Sequence, residues 1–72
     1  MKHADHIADA IKHVGSQAKL AAKINRSQAW VSKLVRGEGQ SSAEDAILIE
    51  TATDGRVPRH VLRPDLWNSG AK

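Results

Sequence analysis

The chain has 72 residues, a formal net charge of +3, no cysteine, and two tryptophans with no phenylalanine or tyrosine. The missing cysteines exclude disulfide staples and thiolate metal sites and suit a reducing cytoplasm. Scarce aromatics favour a small helical domain with an aliphatic core over a β-sandwich. At this length a single domain buries only about 60% of the surface that its unfolded chain exposes.

Residues 1–15, MKHADHIADAIKHVG, contain no apolar run long enough for a signal peptide or a membrane span. Ala4, Ile7, Ala8, Ile11 and Val14 recur at spacings of three and four, which predicts a first helix of about three turns with one apolar stripe. Gly15 stops it, and Ser16 is placed to cap the next helix. His3, His6 and His13 share this helix, and His3 and His6 lie one turn apart. A metal centre needs a third convergent ligand and a supporting shell, neither of which the spacing offers. They are therefore read as surface histidines, with no metal and no cofactor.

Residues 17–36, QAKLAAKINRSQAWVSKLVR, read as two short helices joined by a tight turn. Leu20, Ala21 and Ile24 form the inward face of the first, and Val31, Leu34 and Val35 that of the second. Ala21 is small enough for a close helix crossing. Asn25 tolerates the left-handed conformation that the reversal needs, and Ser27 supplies an N-cap. With the apolar face turned inward, Gln28, Ala29, Ser32, Lys33 and Arg36 point outward, a face that holds no acid. Between residues 16 and 37, Lys19, Lys23, Arg26, Lys33 and Arg36 stand without an acidic residue, whereas Glu38, Glu44, Asp45, Glu50 and Asp54 follow without a basic one. A basic window alone is usually a solvated face; on a helix-turn-helix pattern it points to a polyanion.

Gly37 closes the third helix, and residues 38–41 form a loop. Either Ser41 with Glu44 or Ser42 with Asp45 can make a capping box for a fourth helix, whose first-turn acids complement its dipole. Ala46, Ile47, Leu48 and Ile49 make an apolar run too wide for one face. Ile47 and Leu48 are expected in the core; Ile49 with Ala46 is left for a partner subunit unless a rotated helix buries it. Thr53-Asp54-Gly55 is a stop signal. Pro58 opens a short fifth helix over Arg59 to Leu62, and Pro64 prevents its continuation. Trp67 is expected as a lid on the core, ending a domain that spans residues 1–67, with 68–72 as a frayed tail.

On these residues the chain resembles the Cro/YdaS-like family of phage and prophage helix-turn-helix regulators. The likeness runs from Ile7 to Trp67. It rests on Gln17, Ala21, Val31 and Leu34 at their spacings, on VSKLVRGEG at the end of the second motif helix, and on GRVPRHVLRPDLW near the C-terminus. The resemblance implies an all-α, five-helix, lambda-repressor-like (Cro-type) domain that binds a palindromic operator as a dimer and represses transcription. Gln17 matches a position that bonds phosphate and braces the recognition helix, and Gln28 one that reads adenine. Lys19, Arg26, Ser27, Ala29, Ser32, Lys33 and Arg36 complete the expected DNA-binding set. Two positions depart from the family: Asn25 stands where Gly is usual, and Arg26 replaces an aliphatic residue, which would add positive charge beside the DNA backbone. Trp30, where a small residue is common, is read as packing on the edge of the core.

The physical chemistry agrees. Glutamine can pair bidentately with adenine N6 and N7; Lys33 and Arg36 can reach guanine or phosphate, and spacing does not decide between them. Helix N-termini at Gln17 and Gln28 offer N–H groups to phosphates. One such helix reads few base pairs, so two copies about 34 Å apart are expected, as a homodimer at least on double-stranded DNA. The chain has none of the HExxH, P-loop or GxSxG motifs, and no catalytic role is expected. The alternative is an antitoxin or co-regulator of a toxin–antitoxin-like operon, whose main partner, a toxin or a second repressor, is a protein. Either role places it in the cytoplasm, on the nucleoid, and not in a membrane.

Overall fold

A computed structural model describes residues 3–67. Within them the chain is all helical: α1 (His3–Val14), α2 (Gln17–Ile24), α3 (Gln28–Val35), α4 (Ala43–Ala52) and α5 (Arg59–Leu62). The tail expected to fray, 68–72, lies outside the described residues.

All five helices feed one aliphatic core. Ile7 and Ala10 of α1, Leu20, Ala21 and Ile24 of α2, and Val31 and Leu34 of α3 meet Ala46 and Ile49 of α4, with Val57 and Leu62 closing the other end. α3 packs on both α1 and α2, so its outer face is the one left free. The α1 stripe differs from expectation at one position: Ala8 is exposed and Ala10 is buried. At about 100° per residue Ala8 stands well off the line through Ile7, Ile11 and Val14, whereas Ala10 flanks it.

Three of the helices end in the same way. After α2, α3 and α4 the residues Asn25 (φ 60°), Gly37 (φ 79°) and Asp54 (φ 54°) adopt the left-handed conformation. In each case the next N–H bonds back across the last turn: Arg26 to the Ala21 carbonyl at 2.9 Å, Glu38 to Lys33 at 3.0 Å and Gly55 to Glu50 at 2.9 Å. These Schellman closures satisfy carbonyls that would otherwise be orphaned. They also set the direction in which Arg26 and Glu38 leave their helices.

α4 is rotated relative to the sequence expectation. Ile49 and Ala46 are fully buried, Leu48 is half-buried, and Ile47 is 36% exposed. The polar residues explain the rotation. Asp45 closes the capping box, its Oδ2 accepting from the Ser42 N–H at 3.3 Å while Ser42 Oγ accepts from its N–H at 3.2 Å. At the other end Thr53, fully buried, donates from Oγ1 to the Ile49 carbonyl at 2.8 Å and accepts the Val57 N–H at 3.1 Å. Asp45, Ile49 and Thr53 lie on one helical face at spacings of four, and fixing both ends inward places Ile49 in the core. The idea that Ile49 docks a partner subunit is thereby corrected.

His3 is not a solvated surface histidine. Its Nε2 accepts the Ser41 N–H at 3.1 Å and lies 2.8 Å from the Ser41 hydroxyl, tying the start of α1 to the loop before α4. The proton of the neutral ring is then on Nδ1, which is buried and has no hydrogen-bond partner. Burial, with His6 and Arg63 nearby, pushes the His3 pKa below its ordinary value. Arg63 Nη1 donates to the Ser41 carbonyl at 3.1 Å, so this buried serine joins three segments. Trp67 packs half-buried on the core as expected, with the Arg59 guanidinium 5.3 Å from its ring centroid.

Candidate nucleic-acid interface

The turn between α2 and α3 is short because each residue in it has one task. Asn25 reverses the chain, Arg26 closes the Schellman bond, and Ser27 caps α3 by accepting the Trp30 N–H at 3.1 Å. Ala21 and Val31 are buried between the two helices, so α3 can sit close to α2. Its outward residues are those expected: Gln28, Ala29, Lys33 and Arg36 are exposed, and Ser32 is half-buried. Gln17 is half-buried at the first position of α2, Lys19 is exposed one turn boundary away, and Ser27 is exposed at the cap.

Two of the expected cations are not free. Arg26 donates to Asp45 Oδ1 from Nε at 2.9 Å and from Nη2 at 2.6 Å, and its guanidinium lies 5.7 Å from the Trp30 ring centroid. Its charge is therefore paired within the domain, at its boundary, against a carboxylate that is only 8% exposed. The positive charge that Arg26 was expected to add is thus paired with Asp45. Trp30 packs half-buried against the core, as anticipated, with Arg26 over it.

Arg36 is the second. Its Nε donates to Glu38 Oε2 at 3.1 Å, its Nη2 to Glu38 Oε1 at 3.3 Å, and its Nη1 to Ser32 Oγ at 2.7 Å. The face read from sequence as free of acid thus carries Glu38. The left-handed Gly37 turns the chain back, so a residue two positions beyond the helix returns to its last turn. Hydrogen bonds from Arg36, and then its charge, hold the Glu38 carboxyl below the usual carboxylate range; the same pairing raises the Arg36 pKa.

The pattern extends along the chain. Arg56 pairs with Asp9, Arg59 with Glu50 and Arg63 with Asp65, so every arginine is in an ion pair. Lys12, Lys19, Lys23 and Lys33 are exposed and make no ion pair among the described residues. Three of these lysines lie on α2 and α3, where free positive charge would meet a polyanion. The pairings of Asp45 with Arg26 and of Glu38 with Arg36 are what sequence reasoning missed. Their signal in the sequence is the abrupt change of charge sign between Arg36 and Glu38.

No group of histidines and acids that could hold a metal ion occurs among the described residues. None of the helices is long and apolar enough to cross a membrane. Comparison with curated proteins and with solved structures finds no match. The family described as bacterial toxin YdaS matches residues 7–70, a span that takes in the α2–α3 unit and the Arg-Pro-Asp-Leu-Trp motif. The chain belongs to the YdaS family.

Proposed function

We propose that the protein is a sequence-specific DNA-binding regulator that inserts α3 into the major groove and acts as a repressor on a palindromic operator as a homodimer. The observation that carries this is the outer face of α3, where Gln28 and Lys33 are exposed, Lys33 in no ion pair among the described residues, on a helix backed by the core. Gln28 offers a donor and an acceptor together for adenine, and Lys33 an exposed cation that is held in no ion pair. Gln17, Lys19 and the N–H groups at the start of α2 hold the flanking phosphates. The role is binding and not catalysis; nucleotide sequence is what this surface distinguishes.

The test is a titration of the chain's own upstream DNA against scrambled DNA of equal length at two salt concentrations. Salt-sensitive binding with at least about a thousandfold preference is the expected result. Equal, weak binding to both duplexes rejects it.

A second reading follows from the family description, which names a toxin. On that reading the protein works in a toxin–antitoxin-like operon and its main partner is a protein. Ile47 and Leu66, the exposed large apolar side chains, are the surface such a partner would use. Growth arrest on expression without loss in the Gln28→Ala variant would favour this reading over DNA binding.

A further inference from the structure

The Arg36–Glu38 pair bears on how the proposed DNA face distinguishes sequence from charge. A guanidinium has five N–H donors. Three are taken: Nε and one on Nη2 by Glu38, and one on Nη1 by Ser32. One donor remains on each terminal nitrogen, the pair that matches guanine O6 and N7. The clamp is not a chance meeting of two long side chains. Glu38 is held at its backbone by the Lys33 carbonyl and directed by the left-handed Gly37, while Ser32 stands one turn before Arg36 on the same helix. As a unit Arg36 and Glu38 carry no net charge, so together they release few counterions from DNA.

We infer that Glu38 is a specificity-determining positioning residue: it withholds Arg36 from phosphates and leaves its two remaining N–H groups for a guanine edge. Lys33, which feels the Glu38 charge but makes no ion pair among the described residues, is then the phosphate anchor of the same helix. The division follows from chemistry. A planar guanidinium braced on one edge keeps its fork orientation, whereas an ammonium works as a point charge on a flexible stem. Without Glu38, Arg36 keeps only its Ser32 bond, and its uncompensated charge is one that any DNA attracts. The inference rests on α3 reading DNA.

The experiment compares the full-length wild type with Glu38→Gln, Arg36→Gln and the double variant, on the upstream duplex and on its scrambled counterpart, across a fourfold range of salt. Both side chains are exposed, so all three variants are expected to fold. Glu38→Gln should bind scrambled DNA more tightly, with a salt slope steeper by about 0.9, which is about threefold more affinity gained over that range. Its preference for the upstream duplex should fall. The double variant should return the slope to that of the wild type, because the liberated cation is gone. If the wild type discriminates and Glu38→Gln changes neither slope nor preference, the inference is overturned while the DNA-reading role stands. A steeper slope with undiminished preference also overturns it, since Glu38 would then be a plain competitor for Arg36. If the wild type shows no preference for either duplex, both the role and the inference fall.

Discussion

Arg26, the second residue of the turn between the two motif helices, is bonded at 2.9 and 2.6 Å to Asp45, the capping-box acid of α4. One carboxylate thereby closes the N-terminus of α4 and fixes the turn that aims α3. Arg26 is 36% exposed and Asp45 8%, so the pair lies at the boundary of the domain, with water screening one side.

Removal of Arg26 should therefore affect stability more than DNA binding. Arg26→Ala leaves Asp45 with its Ser42 contacts only and should cost about 1.5–3 kcal/mol, towards the lower end because solvent reaches the arginine. Denaturant unfolding measures the loss. In a titration with DNA, the salt slope of the folded variant should match that of the wild type. A slope reduced by about one unit would show that Arg26 contacts phosphate after all.

Gln28→Ala should lower discrimination at one base pair by about 1–3 kcal/mol, with little change in the salt slope. Lys33→Ala should do the reverse, weakening binding on every sequence and flattening the slope by about one unit. Titrations of both variants on matched and singly mismatched duplexes separate the two roles. Identical behaviour of the two variants would reject this division of labour.

Thr53→Val keeps the shape of a fully buried side chain and deletes its hydroxyl. The Val57 N–H then loses its acceptor in the interior. The expected destabilisation is about 1–3 kcal/mol, read from equilibrium unfolding. A neutral result would mean that the α4–α5 connection relaxes enough to reach another acceptor.

His3 links stability to pH. Its pKa in the folded state lies below the ordinary 6.5, from burial first and then from His6 and Arg63. The unfolded chain therefore takes up this proton more readily, so stability rises with pH. The contribution is fully present above the ordinary histidine value and is lost as pH falls through the lower, folded one. Protonated Nε2 cannot accept the Ser41 N–H, so that bond between α1 and the loop before α4 is lost. The wild type should lose more melting temperature between pH 7.5 and 5 than His3→Gln does. An equal loss in the two proteins would place the acid sensitivity elsewhere.

Local chemistry was legible from the chain alone. Ser16 and Ser27 cap their helices, Ser42 is the one of two serine candidates that caps α4, Asn25 turns left-handed, and α5 runs from Arg59 to Leu62 because each of these depends on residues a few positions apart. The same short range made Leu20, Ala21, Ile24, Val31 and Leu34 readable as core and left the outer face of α3 by elimination. Periodicity reaches only as far as one helix, however, and it failed where an apolar run was wider than one face. Ile47 and Ile49 are chemically alike; the choice between them fell to Asp45 and Thr53, whose partners come from the α2–α3 turn, the preceding loop and the segment after the helix. Charge shows the same division. The composition of residues 16–37 established a basic segment, but which of its cations are free depended on side chains brought near in space. Asp45 neutralises Arg26 across 19 positions and Glu38 folds back on Arg36, while Lys19, Lys23 and Lys33 keep their charge. Sequence by itself determined which residues could form the surface; only tertiary packing decided which of them face it with a charge to spare, because ion pairing depends on distance in space and not on order along the chain.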